Sequence, residues 1–198
     1  RAGFAGARPS RYGSGMKALW RYIAHDDPLV AACNTIALVL GYNTPLYPVY
    51  LVWIAGWGAL PGALLTWCAC PFFLAVPWLS RRSPLAARMM LPAVGTVNTV
   101  FCTWLFGAAT GTALFLIPCV TLAALLFRPR ERVAMLCVAA LPVVAYCLMP
   151  PDMKAALPIF SAQSARGVFG LNAASVGILG LFMGAVFSRA YVARPEHV

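Results

Sequence analysis

Polar and charged residues in this chain fall into short clusters that separate long apolar runs. Pro28 to Ser80 holds 53 residues without a formal charge, whereas a helix crossing a bilayer needs only about 20 mostly apolar residues. That run predicts two helices, divided at Ala55-Gly56-Trp57-Gly58-Ala59-Leu60-Pro61-Gly62, where Gly and Pro punctuate the chain and Trp suits the membrane interface. Met89 to Phe127 predicts two more, with a short turn at Gly107-Ala108-Ala109-Thr110-Gly111, and Arg128-Pro129-Arg130-Glu131-Arg132 closes the fourth. Val133 to Met149 is a fifth, ended by Pro150-Pro151-Asp152. After a polar stretch from Asp152 to Arg166, Val168 to Phe187 is the sixth, stopping before Arg189.

Composition agrees with this pattern: 62% of residues are apolar and 10% charged, against about 25% charged in a soluble domain. Such apolarity excludes disorder, and a small disulfide scaffold needs denser Cys in a polar chain. The net charge of +10 does not point to nucleic acid, because the cations are scattered between uncharged runs rather than forming one solvated face. They mark topology instead. With both termini cytoplasmic, only Lys154 and Arg166 of the 15 Lys and Arg lie outside, as the retention of cations on the cytoplasmic side requires. The fold class expected is all-α, a polytopic bundle of six transmembrane helices. Residues 28–188 form it, between a basic segment at 1–27 and a short cytoplasmic tail at 189–198. The basic segment, with Trp20 and Tyr22 near its end, reads as an interfacial stretch on anionic lipid. It is not a signal peptide, whose apolar core comes earlier. The chain opens with Arg rather than Met, so residues upstream are expected.

Candidate chemistry is sparse. Ionisable residues deep in a span mark ion and proton pathways, and none of the six runs contains one. His25-Asp26-Asp27-Pro28 reads as an amino-terminal helix cap, with a metal or proton site as the alternative. With two His in the chain, a bis-histidine haem is excluded, and no metal or cofactor is expected. Seven Cys sit in apolar runs, where Cys is ordinarily a small apolar residue. Cys68-Ala69-Cys70 has neither redox nor zinc spacing. No nucleophile–base pair, phosphate loop or carboxylate pair is present, so catalysis is not expected. Paired broken helices of the transporter kind are not visible either.

Two features carry more information. In the first run, Pro45 and Pro48 each remove a backbone donor, so the helix kinks or opens there and frees carbonyls at membrane depth. Tyr42, Asn43, Thr44 and Tyr47 can satisfy those carbonyls internally or line a pocket in the outer half of the bilayer, its other walls being Asn98, Thr99 and Thr103. In the last helix, Ala173, Gly177, Gly180 and Gly184 give a small-residue stripe with a GxxxG spacing, which suits close helix packing within the chain or against another protein. The outer stretch from Pro150 to Arg166 is a lid, a docking element or an ordinary connector.

The stretch Asn98-Thr99, Thr103, Leu105-Phe106-Gly107, Gly111-Thr112-x-Leu114-Phe115-Leu116-x-Pro118-Cys119, ending at Leu125-Leu126-Phe127-Arg128-Pro129-Arg130-Glu131-Arg132, resembles the third and fourth helices of six-helix membrane input domains. Those domains precede bacterial class III adenylate cyclases, diguanylate cyclases and histidine kinases. The resemblance implies a sensor bundle in the bacterial inner membrane that receives a lipophilic signal and passes it on through the last helix. No effector domain follows Arg194 in this sequence, so it implies action through a partner or through further chain, and no catalytic residue is carried over. Two functions are expected. One is a non-catalytic accessory or assembly subunit packed against a partner membrane complex or a second copy. The alternative is a membrane sensor that binds a lipophilic ligand beside Pro45 and Pro48.

Overall fold

The computed structural model describes residues 11–192, and expectations for residues 1–10 and 193–198 lie outside them. The described residues are mostly helical and contain no strand, with seven principal helices. These are α1 (Arg11–Ile23), α2 (Pro28–Ala55), α3 (Trp57–Ser80), α4 (Pro84–Phe106), α5 (Thr112–Leu125), α6 (Arg132–Leu148) and α7 (Ala162–Val192). Five segments are long and apolar enough to cross a membrane: α2, α3, α4, α7 and Pro129–Leu148, which contains α6. The fourth of the six expected spans, α5, is shorter than that standard. The last helix also runs beyond its expected limits, taking in Arg166 and Arg189.

Local chemistry sets the boundaries. Gly56 and Gly107 end α2 and α4 at φ 84° and 82°, a region essentially closed to residues with a Cβ. Asp27 caps α2 through its carboxylate to the Leu29 amide (3.0 Å), with Pro28 in the first turn, as the cap reading of that cluster expects. Ser83 does the same for α4.

Two apolar clusters stack along the bundle. Leu29, Ile36, Phe73, Val76, Leu91, Leu122, Leu126, Met183 and Phe187 form the larger. Leu51, Ala63, Cys102, Leu105, Phe106 and Val168 form the smaller, at the opposite end. Outside them, Trp53, Val97, Val133, Leu148 and Leu181 are all at least 70% exposed, a distribution of large apolar side chains that suits lipid rather than water.

The end that holds Asp27 is fastened by charge. Arg88, 3% exposed one turn into α4, makes a two-pronged ion pair with Glu131 (2.6 and 2.7 Å) and donates to the Leu126 carbonyl at 2.8 Å. Glu131 also accepts from the Arg128 amide, and the Arg128 guanidinium reaches Asp27 at 2.7 Å. One connected set thus joins the starts of α2 and α4 to the turn between α5 and α6. At the same end α1 is docked by Tyr22 on the Leu74 carbonyl (2.6 Å), and Asn34 donates to both Ile23 and Ser80.

At the other end the stretch between α6 and α7, residues 149–161, folds back onto α4. Ala156 and Leu157 donate to the last carbonyls of α4, Trp104 and Leu105, while Ala108 donates to Met153. Leu157, Ile159 and Phe160 pack on the smaller cluster. This stretch is a packed apex rather than a loose connector.

Candidate functional site

Pro45 and Pro48 open α2 into a 3-10 turn at Thr44–Leu46 without ending the helix. Pro45 leaves the Gly41 carbonyl without its helical donor. Cys70 of α3 replaces it, with Sγ 3.2 Å from that oxygen. The Thr44 hydroxyl bonds back to Leu40 (2.8 Å), and the Tyr47 amide closes onto Thr44. The Gly41 and Thr44 carbonyls freed by the two prolines are therefore satisfied internally, by a cysteine that sequence reasoning treated as an apolar filler and by the Tyr47 amide. The Asn43 amide is left over.

A second break faces the first. Pro71 cannot donate to Trp67, and α3 tightens into a 3-10 stretch over Leu65–Ala69. The two 3-10 segments touch. Both helices run on through these 3-10 segments, and the proline at position 71 was the available signal for the second.

The breaks border a cavity of about 110 Å³ between the two apolar clusters. Asn43, Thr44 and Tyr47 of α2, Thr66 of α3, Asn98 and Thr99 of α4, and Thr112 of α5 give it a polar band. Phe73, Leu91, Phe115, Leu122 and Leu179 supply apolar wall, together with Cys102 and Cys119. None of its lining side chains carries a formal charge. At 1.5 Å per residue, Asn43 and Asn98 lie about 22 and 21 Å from the charged ends of their helices, a matching depth.

Of the expected pocket residues, Asn43, Thr44, Tyr47, Asn98 and Thr99 meet at this cavity. Tyr42 does not; it is 60% exposed on the outside of α2. Thr103 is also elsewhere, bonded to the Thr99 carbonyl and bordering an apolar groove between α5, α6 and α7. A residue sequence reasoning missed, Asn172 of α7, is completely buried. It accepts from the Tyr47 hydroxyl (2.9 Å) and donates to the Thr110 carbonyl (2.9 Å), while Thr110 shares a hydrogen bond with Thr112 (2.7 Å). This chain of bonds links the cavity wall to the last helix.

The small-residue stripe lies on another face of α7. Ala173, Gly177, Gly180 and Gly184 are exposed, and a Cβ built on any of the three glycines meets no atom within 4 Å. The chain's own helices leave this strip of backbone uncovered. Compared with known protein families, curated proteins and solved structures, the chain matches none.

Proposed function

We propose that this chain is a non-catalytic integral membrane protein that packs against a partner membrane complex as an accessory or assembly subunit, through the open stripe of α7. The uncovered glycines carry this reading. Without a hydrophobic drive between helices in lipid, small residues favour association by letting backbones approach closely, and here no intrachain helix uses them. The setting that goes with the reading is six crossings with both termini cytoplasmic, in a bacterial inner membrane. The cations at the Asp27 end support that orientation.

Gly180→Leu is the test. Because its side chain enters open space, the variant inserts and melts like the wild type, yet loses its association with the partner or second copy, read by cross-linking and by size in mild detergent. Unchanged association removes the reading.

The second reading is a membrane sensor for a lipophilic ligand, signalling through a partner. The cavity at the paired breaks favours it, since α4 and α5, which carry the resemblance to sensor domains, supply much of the wall.

A further inference from the structure

Thr96 and Thr103 of α4 both return their hydroxyls to carbonyls four residues back, at 2.8 and 2.7 Å. Thr99, between them and 4% exposed, does not: its hydroxyl has no partner among the described residues. Nor is that oxygen sealed in protein, so the cavity it lines is the space it meets. Beside it, Asn98 accepts only a 3.7 Å contact from Cys102 at Oδ1 and leaves its Nδ2 donor unused. At membrane depth an unused donor or hydroxyl is costly unless something occupies the space.

We infer that the cavity binds a neutral lipophile through a hydroxyl or carbonyl held by Thr99 and Asn98. This inference rests on the sensing reading above. The uncharged lining excludes an ionic headgroup, whose burial without a counter-charge is prohibitive. A volume of about 110 Å³ approaches the roughly 150 Å³ of an apolar cavity that accepts a single aromatic ring. It therefore takes the polar head of a lipophile rather than a whole lipid, with Leu40 and the exposed Asn43 at its rim. A bound head also lies against Tyr47, whose hydroxyl holds Asn172 of α7, so occupancy is felt by the helix that bears the open stripe.

The experiment titrates the full chain in neutral detergent with 3-fluoropropan-1-ol and 1-fluorobutane, which match in shape and are small enough for this cavity, at equal micellar mole fraction and followed by fluorine NMR. The alcohol is expected to bind about tenfold tighter, the worth of about one net hydrogen bond. Thr99→Val, close to the same shape, and Asn98→Leu each bring the two probes to within about threefold, with fluorobutane binding unchanged. Equal affinities in the wild-type protein, or an alcohol preference that survives both substitutions, overturn the inference while leaving an apolar sensing pocket in place. Binding of neither probe overturns the sensing reading as well and leaves ordered water as the occupant.

Discussion

At the scale of single residues, Arg88 is the one buried formal charge among the described residues, and its partner decides what each substitution costs. Glu131 is 22% exposed and keeps the Arg128 amide when Arg88 is lost. Arg88, at 4% side-chain exposure, has only neutral partners left when Glu131 is lost, the Pro84 and Leu126 carbonyls and the Phe127 ring. Removing one member of a buried pair costs chiefly through the charge it strands. Glu131→Ala is thus expected to lower stability by about 3 kcal/mol. Arg88→Met costs about 1 kcal/mol, because the stranded carboxylate reaches water. The double variant falls nearer to Arg88→Met than to the sum, as coupled residues do. Detergent-phase melting of the three variants measures all of this, and equal losses from the two single changes would refute the asymmetry.

At the scale of elements, Gly56 and Gly107 form a natural pair. Both end a helix in the same backbone region, with ψ of 172° and 160°, and differ in what surrounds them. A Cβ on Gly56 meets nothing, whereas one on Gly107 falls 2.9 Å from the Ala155 amide nitrogen and 3.2 Å from the Met153 carbonyl. Gly56→Ala should cost about 1–3 kcal/mol of backbone strain. Gly107→Ala should cost a further 1–3 kcal/mol or so by prising the stretch between α6 and α7 from the end of α4; identical melting temperatures would mean that this stretch does not hold the apex. These glycines also mark what was readable in advance. Gly and Pro fixed the ends of α2 and α4 and the kink of α2 because their effects are local. The shortness of α5 was hidden, since an apolar run gives no sign that a neighbouring stretch will fill the space at its end. Also hidden were the pairs Arg88–Glu131 and Tyr47–Asn172, separated by 43 and 125 residues. Only packing brings them together, and the paired breaks and cavity depend on such contacts.

At the scale of the molecule, the question is whether a helix as short as α5 belongs to a crossing. Its far end shares the Thr110–Thr112 bond with the network around Asn172, and the turn after it holds Arg88 and Asp27. The segment from Thr110 to Glu131 therefore reaches from the polar network to the charged end of the bundle. Fourteen residues span only about 21 Å as α-helix; the turn at Ala108–Thr110 and the packed stretch between α6 and α7 occupy the remainder. This arrangement puts the Arg81–Ser83 and Arg128–Glu131 connectors on one side and Asp152 on the other. Cations favour the cytoplasm for the first two. With the seven native cysteines replaced, Ser83→Cys and Arg130→Cys should react with an impermeant maleimide only after cells are opened, and Asp152→Cys from outside. Labelling of Arg130→Cys in intact cells would instead make α5 a re-entrant helix. The Arg88–Glu131 pair would then have to join opposite faces of the membrane, which a contact of 2.6 Å cannot do across a hydrocarbon core about 30 Å thick.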